Sequence, residues 1–268
     1  DVAIRFNPEV DSGGHEYIKT GRKGDKFGIS SNKLVLKLSE YIYNSDNLRL
    51  VGLACHIGSQ IGDLESYKST AISIKNLAED IDKTGNELKF LDLGGGLGVP
   101  YKDDKTPSPE ELVSVIECEL EDRKEKIILE PGRSITGNAG VLLTKVEYIK
   151  DNFLIVDAAM NDLMRPALYD ANHDVWNVKK NNTGSKKWTI VGPICESSDV
   201  LAKDHEMNAS EGDLLAIKTA GAYGFVMSSN YNSRLRAPEI LVDDNKYTVI
   251  RKRESFDDLI RNEIYLND

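Results

Sequence analysis

The stretch LDLGGGLGVPY (91–101) is an apolar run that leads directly into four glycines within five positions. Glycine lets backbone N–H groups approach an anion closely, so a strand that ends in this way is a candidate phosphate site. The spacing does not fit the dinucleotide-binding pattern G-x-G-x-x-G, and the P-loop pattern G-x-x-x-x-G-K-[ST] does not occur in the chain. Phosphate contact and a tight structural turn are therefore both open interpretations of Gly94, Gly95 and Gly96.

Three other apolar runs in the first half also end in Gly, Pro or polar residues: VAIRFNP (2–8), RLVGLACHIGS (49–59) and KIILEPGRS (126–134). Two amphipathic stretches between the runs predict helices, SSNKLVLKLSEYIYN (30–44) and LESYKSTAISIKNLAEDIDKTG (64–85). Strands separated by helices indicate parallel βα units, and the chemistry of such units sits where the strands end. We therefore predict an α/β domain over residues 1–145.

After residue 145 the pattern changes to short apolar runs separated by turn residues, which predicts a mainly β domain over residues 146–268. Within it, WNVKKNNTGSKKW (176–188) is interpreted as the polar tip of a hairpin, and Ser255 as the cap of a short terminal helix. The predicted strands lie in NFLIVDAAM (152–160), KWTIVGPI (187–194), DLLAIKTAGAYG (213–224) and PEILVDDNKYTVIRK (238–252).

Composition excludes several classes of partner. The formal net charge of −10 argues against nucleic acid as a general partner. The chain has no apolar run of roughly 18 residues and no signal peptide, so we expect neither a membrane span nor export. Cys55, Cys118 and Cys195 lack metal-ligand spacing and make no even disulfide framework, which favours a reducing compartment and no metal site. These features predict a soluble cytoplasmic protein.

Polar and charged side chains follow the predicted strands. Asn7 follows the first strand, His56 and Ser59 follow the second, and Glu130 and Arg133 follow the fourth. Taken singly, a histidine here is more often structural than catalytic, and a lone glutamate is more often a surface carboxylate. Because the carboxyl ends of parallel strands meet at one edge of a sheet, these residues and the glycine run together predict one site for an anionic cofactor.

Cys195 and Glu196 follow the predicted strand KWTIVGPI in the second half of the chain. A free cysteine is commonly a buried core residue, and that interpretation stays open for Cys195. The glutamate beside it, at the start of a loop, makes a role in proton transfer the alternative.

Eight segments of the chain, in order, together resemble the diaminopimelate decarboxylases. That family uses pyridoxal 5′-phosphate (PLP) and has the alanine-racemase-like fold type III, as ornithine and arginine decarboxylases do. The resemblance implies a lyase of lysine biosynthesis that decarboxylates meso-2,6-diaminopimelate to L-lysine and CO2. The segments are RFNPEV (5–10), TGRKGDKFGI (20–29), HIGSQI (56–61), LDLGGGLGVPY (91–101), LEPGRSITGNAG (129–140), VDAAMNDLMRPALYDANH (156–173), GPICESSDVLA (192–202) and GAYGFVMSSNYNSRLRAPEILV (221–242).

The resemblance also implies a fold. Residues 1–145 would be the C-terminal half of a PLP-binding (β/α)8 TIM barrel, its last four βα units. Residues 146–268 would be a C-terminal β-barrel or sandwich domain that ends in a short helix. By the same resemblance the enzyme is a homodimer, in which the loop that carries Cys195 enters the active site of the neighbouring subunit.

The family pattern assigns specific residues to PLP. His56 would lie against the pyridine ring and take part in catalysis, and Glu130 would pair with the ring nitrogen. A carboxylate there keeps the nitrogen protonated, which makes the ring a better acceptor for the electron pair left when CO2 departs. The remaining PLP contacts, which would bind the phosphate, are Ser59, Gly94, Gly95, Gly96, Gly132, Arg133 and Tyr223, with Tyr231 as the alternative to Tyr223.

Diaminopimelate carries a second amino-acid head, so its distal end calls for a cation opposite the carboxylate and an anion opposite the ammonium. The resemblance assigns the substrate contacts to Arg133, Arg165, Tyr169, Glu196 and Tyr223. Two arginines favour diaminopimelate over diamine precursors, because arginine pairs with a carboxylate through two hydrogen bonds. Cys195 would be the catalytic acid that protonates Cα after CO2 leaves.

One part of the family pattern, the PLP-bearing lysine in a Y-A-x-K-A-like motif, does not occur in the chain. We therefore expect a C-terminal portion that lacks the first half of the barrel and is inactive by itself. A decarboxylase acting on carboxynorspermidine or arginine is the alternative within the class. From another class, a non-catalytic homologue would regulate a decarboxylase through mixed dimers.

Overall fold

The computed structural model describes residues 1–13, 20–22, 24–102, 105–179, 184–264 and 266. The chain divides into two compact units, Asp1–Ile135 and Thr136–Asp268. The boundary predicted between residues 145 and 146 falls inside strand β5 (Leu142–Lys150). The division comes earlier in the chain because β5 pairs with two other strands of the second unit.

The first unit contains a four-stranded parallel sheet with the order β1-β2-β3-β4. The four predicted strands and the two predicted helices are confirmed, and α3 is an additional helix. Because every strand pair is parallel, the carboxyl ends of all four strands lie at one edge of the sheet. In chain order the elements are β1 (Val2–Arg5), α1 (Asn32–Tyr43), β2 (Leu50–Ala54), α2 (Glu65–Asp82), β3 (Phe90–Asp92), α3 (Pro109–Glu119), β4 (Lys126–Ile128) and the short α4 (Arg133–Thr136).

Capping residues and apolar spacing explain where these helices form. The Ser31 side chain accepts the N–H of Leu34 and begins α1. Ser108 and Glu111 form a reciprocal capping box at the start of α3, directly before its first residue, Pro109. On α2 the buried positions Ile74, Leu77 and Ile81 recur at helical spacing and belong to the same apolar core as the strand residues Leu53 and Leu91.

The second unit contains a six-stranded sheet with the order β7-β10-β5-β6-β8-β9. Its pairs are antiparallel except for β6 with β8, which are parallel. A separate hairpin pairs β11 with β12. Besides β5, the elements are β6 (Phe153–Val156), α5 (Arg165–Tyr169), β7 (Val175–Asn177), β8 (Lys186–Val191), β9 (Val200–Met207), β10 (Leu214–Ile217), β11 (Glu239–Asp243), β12 (Lys246–Arg251) and α6 (Phe256–Ile260).

The mainly β character of the second unit is confirmed, whereas the hairpin predicted over residues 176–188 is wrong. Among the described strands, β7 pairs with β10, and β8 pairs with β6 and β9 instead of with β7. Residues 180–183, at the predicted tip, lie outside the described residues. The predicted terminal helix is confirmed as α6, with Ser255 as its cap. In the described part of the chain, no helix combines the length and the apolar character needed to cross a membrane.

Candidate active site

The carboxyl edge of the first sheet gathers those residues predicted to bind the cofactor that lie in the first unit, whereas Tyr223 lies in the second unit. Asn7 lies just after β1, and His56 and Ser59 lie just after β2. The glycine turn follows β3, and Glu130 follows β4. These positions meet because neighbouring parallel strands end at the same edge, which is where open α/β sheets and barrels carry their chemistry.

Close packing against the neighbouring strand ends requires all three glycines of the turn. A Cβ on Gly94, whose φ is +72°, would lie 2.6 Å from the Cys55 carbonyl oxygen. A Cβ on Gly95 would overlap the Glu130 carbonyl, and one on Gly96 (φ +101°) would overlap the Gly58 carbonyl. Among the described residues, the N–H of Gly96 donates to no other group, so it remains available to an anion. The packing of the turn therefore requires these glycines by itself, apart from any ligand.

His56 is held in its neutral form. Its Nδ1 accepts the N–H of Gly95 at 3.1 Å, so the neutral ring carries its proton on Nε2. Burial lowers the pKa of His56 below its ordinary value, and the nearby positive charge of Arg5 lowers it further, while the Asp92 carboxylate acts in the opposite direction. A half-buried, neutral imidazole therefore lies at the end of β2.

Asp92 is a site residue that the sequence analysis did not single out. Its Oδ1 accepts the N–H of Gly94 at 2.8 Å. Burial raises the pKa of Asp92, the bond from Gly94 lowers it in part, and the carboxylate of Glu130 raises it again. Glu130 is exposed, and its own N–H donates to the carbonyl of Gly94 at 2.8 Å, which ties the ends of β3 and β4 together.

A buried arginine joins the second and fourth strand ends. Arg133 is only 5% exposed, and its Nη2 and Nε donate to the Ser59 hydroxyl at 2.8 and 3.3 Å. Its Nη1 donates to the hydroxyl of Tyr101, a residue quoted in the glycine motif but not assigned a role. Gly132, just before it, is exposed, and a Cβ there would meet no atom of the described part of the chain within 4 Å. The structure therefore brings Ser59 and Arg133 into direct contact.

In the second unit, Arg165 and Tyr169 are the first and last residues of α5. Arg165 is buried, and its Nη1 lies 2.9 Å from Nε2 of His173. A guanidinium can only donate, so Nε2 accepts and the ring proton of His173 points from Nδ1 to the Lys218 carbonyl at 2.8 Å. Tyr169 is half-buried, whereas Tyr223 is exposed and has a left-handed φ of +59°.

Cys195 and Glu196 lie side by side in the exposed loop between β8 and β9, and Cys195 is a free thiol. The alternative of a buried core cysteine is therefore wrong for Cys195. The loop is fixed by the buried Asp199, whose carboxylate accepts the N–H groups of Met160 at 2.7 Å and Ile194 at 2.8 Å. Burial raises the pKa of Asp199, and these two hydrogen bonds oppose that shift.

Glu196 accepts two short hydrogen bonds from hydroxyl groups, from Ser198 to Oε1 and from Tyr231 to Oε2, each of 2.6 Å. Both bonds favour the charged carboxylate, so they lower the pKa of Glu196. Tyr231, which the sequence analysis weighed as a PLP contact, is thus bonded to a residue predicted to bind substrate. Its spacing from Glu196 along the chain gave no signal of this pairing.

Comparison with known proteins finds one family that matches the first half of the chain. A family model described as "Pyridoxal-dependent decarboxylase, pyridoxal binding domain" matches residues 1–137. The matched range contains every residue of the strand-end cluster described above.

Individual relatives resemble nearly the whole chain. The diaminopimelate decarboxylase of Aquifex aeolicus is 47% identical over 265 residues, which are 97% of this chain and 63% of that protein. The protein of the same name from Neisseria meningitidis serogroup B is 46% identical over 267 residues, 98% of this chain and 64% of that protein. The structure of Helicobacter pylori diaminopimelate decarboxylase complexed with L-lysine has a TM-score of 0.92 and 40% identity, covering 97% of this chain and 66% of that one. The chain thus spans slightly less than two thirds of the length of these relatives.

Proposed function

The chain belongs to the pyridoxal-dependent decarboxylases, and from that membership we propose that it serves the decarboxylation of meso-2,6-diaminopimelate to L-lysine and CO2. The protein would then be a carboxy-lyase of lysine biosynthesis. The relatives from A. aeolicus and N. meningitidis carry the corresponding name, and the H. pylori relative was solved with L-lysine, the product of that reaction. The observation that carries the proposal is the cluster of a neutral histidine, a glycine turn, a carboxylate and a buried arginine at one sheet edge.

The donor set at this edge fits pyridoxal 5′-phosphate. Among the described residues, the N–H of Gly96 has no acceptor, and no atom lies within 4 Å of the place that a Cβ on Gly132 would take. A phosphate needs N–H and O–H donors, which this turn, the backbone of Gly132 and Arg133, and the Ser59 hydroxyl would supply. When bound, PLP supplies an electron-accepting ring that stabilises the electron pair left by CO2.

His56 and Glu130 have complementary tasks in this proposal. The neutral ring of His56 would lie against the cofactor and add no positive charge to it, because Nδ1 is already committed to the Gly95 N–H. Glu130 would hold a proton on the pyridine nitrogen. Its backbone is fixed by the bond to Gly94, so the carboxylate is carried by a rigid strand end.

Recognition of the distal amino-acid head would come from Arg165, Tyr169 and Glu196, with Arg133 and Tyr223 as further contacts. The bond to His173 fixes the plane of the Arg165 guanidinium, which favours two parallel bonds to a carboxylate. Glu196 would receive the distal ammonium. An amino acid without a distal carboxylate would not engage the guanidinium of Arg165, so the site should bind diamine precursors less well than diaminopimelate.

Cys195 would donate the proton that replaces CO2 on Cα, because it is an exposed thiol next to a carboxylate that binds the substrate. We infer a homodimer in which the loop of Cys195 and Glu196 serves the active site of the partner subunit. A loop that is exposed on its own chain and rigidly tied by Asp199 suits that task. Three free thiols are consistent with a cytoplasmic location.

We further infer that the sheet of the first unit is part of a (β/α)8 barrel, with β1 to β4 as its last four strands. Among the described strands, β1 and β4 each pair with one other strand, so each has an edge that no described strand covers; only at the end of β1 does Ile29 donate to the Arg5 carbonyl. Ile127 and Ile128 on β4 are 39% and 37% exposed, although strands of a parallel sheet are ordinarily buried. The second unit would be the β-barrel or sandwich domain that follows such a barrel.

The experiment that tests the proposal replaces the carboxylate opposite the ring nitrogen. We expect Glu130→Gln, in the protein expressed from its complete gene and saturated with PLP, to lower kcat for meso-diaminopimelate by about a hundredfold or more. PLP affinity, followed by absorbance, should change little because the phosphate contacts are intact. Glu87→Gln is the matched control, since Glu87 is also exposed and lies before β3, away from the carboxyl edge. Equal activity of Glu130→Gln and the wild type would contradict the assignment.

A further inference from the structure

Tyr231 and Ser198 together occupy both oxygens of the Glu196 carboxylate. The Tyr231 hydroxyl donates to Oε2 and the Ser198 hydroxyl donates to Oε1, each at 2.6 Å. Hydrogen bonds of this length to an ionised acceptor are of the strong, charge-assisted kind. Each carboxylate oxygen still has a second lone pair, so the bound carboxylate can accept a further donor.

The effect of this pairing on both groups agrees with a charged carboxylate. The hydrogen bonds from the Ser198 and Tyr231 hydroxyls lower the pKa of Glu196. The bond between Tyr231 and Glu196 also raises the pKa of Tyr231. Tyr231 therefore stays a donor, and Glu196 stays an acceptor, across the physiological pH range. The phenol also lies close enough to Cys195 for a thiolate there to raise its pKa further.

The two loops that carry this pair are anchored to one short segment, residues 160–161. The N–H of Met160 donates to Asp199 in the loop of Glu196. Asn161 accepts the N–H of Ser229 on its carbonyl at 3.0 Å and the Nε of Arg234 on its side chain at 2.9 Å, on either side of Tyr231. A shared anchor fixes the distance between the tyrosine and the carboxylate without any contribution from a ligand.

The turn that presents Tyr231 also has an unfavourable backbone conformation. Asn232 and Ser233 have left-handed φ values of +57° and +55°. Consecutive left-handed residues other than glycine cost free energy, and they persist only where surrounding contacts hold them. Here Asn230, which donates to the Glu254 carboxylate at 2.7 Å, supplies such a contact.

We propose that Tyr231 is a positioning residue that orients the Glu196 carboxylate to receive the distal ammonium of a diamino-acid substrate. The inference rests on the proposed function and adds a specificity determinant to it. Tyr231 acts through Glu196: it restricts the carboxylate to one rotamer, and a preorganised acceptor loses less entropy when the ammonium binds.

The experiment compares two ligands that differ only at the distal end. L-Lysine has the terminal ammonium, and L-norleucine has the same carbon chain without it. We expect Tyr231→Phe to weaken competitive inhibition by lysine about fivefold or more, while inhibition by norleucine changes less than twofold. Tyr148→Phe, at an exposed tyrosine of β5, is the matched control and should change neither constant. Glu196→Gln should weaken lysine similarly, and adding Tyr231→Phe to it should have no further effect.

The outcomes separate this inference from the proposed function. Equal weakening of lysine and norleucine by Tyr231→Phe, or no change in either, would overturn the positioning role while wild-type turnover of meso-diaminopimelate stands. A wild-type holoenzyme that binds neither lysine nor meso-diaminopimelate would overturn the proposed function and the inference with it.

Discussion

Gly94 allows a quantitative test of how tightly the strand ends pack. In Gly94→Ala the new methyl group would lie 2.6 Å from the Cys55 carbonyl oxygen and 2.7 Å from Nδ1 of His56, on a backbone with a φ of +72°. The left-handed conformation costs a non-glycine residue about 1 kcal/mol. Forced displacement of well-packed atoms adds about 1–3 kcal/mol. We therefore expect the free energy of unfolding of the first unit to fall by about 3 kcal/mol.

The matched control for Gly94→Ala is Gly13→Ala. Gly13 has nearly the same φ, +68°, but a Cβ there would meet no atom of the described residues within 4 Å. Gly13→Ala should therefore lower the free energy of unfolding only by the cost of the left-handed conformation, about 1 kcal/mol. During urea unfolding, far-UV circular dichroism follows both units, whereas the fluorescence of Trp176 and Trp188 follows the second unit alone. The part of the circular dichroism transition that fluorescence does not share therefore belongs to the first unit. Equal losses for the two variants would refute the close packing of the turn.

Three further changes test other groups of the site. As the pH falls below 6.5, His56 binds a proton in the unfolded chain before it does so in the folded chain, so the free energy of unfolding of the first unit should decrease. In His56→Asn this free energy should depend less on pH. Tyr101→Phe removes one acceptor from the buried Arg133 and should cost about 2 kcal/mol by circular dichroism. Asp199→Asn keeps only one acceptor oxygen for two backbone N–H groups, so tryptophan fluorescence should show a loss of about 2 kcal/mol in the second unit.

Local sequence patterns predict the residues at the strand ends well, because a residue belongs to this cluster when it directly follows one of the parallel strands. His56, the glycine turn and Glu130 each follow an apolar run, and parallel pairing alone brings such positions to one edge. The capping box of Ser108 and Glu111 is an equally local signal for the start of α3.

Contacts that join distant parts of the chain were not predictable in this way. The bond between Tyr231 and Glu196 depends on how two loops are anchored to residues 160–161, which no periodicity encodes. The wrong prediction of a hairpin over residues 176–188 has the same origin, because turn residues are a local sequence signal whereas the pairing partners of β7 and β8 are set by the whole sheet. Asp92 is not predictable in this way either, because a single carboxylate within an apolar strand gives no local signal of a site.

The most direct test of the central claim is the turnover of meso-diaminopimelate by the PLP-loaded protein expressed from its complete gene. Released CO2 and L-lysine are measured together, with arginine and carboxynorspermidine as competing substrates. The account predicts one CO2 and one L-lysine per diaminopimelate, with kcat/KM about a hundredfold or more above that for either competitor. Preferred turnover of a competitor, or no turnover of any substrate by the PLP-loaded protein, would contradict it.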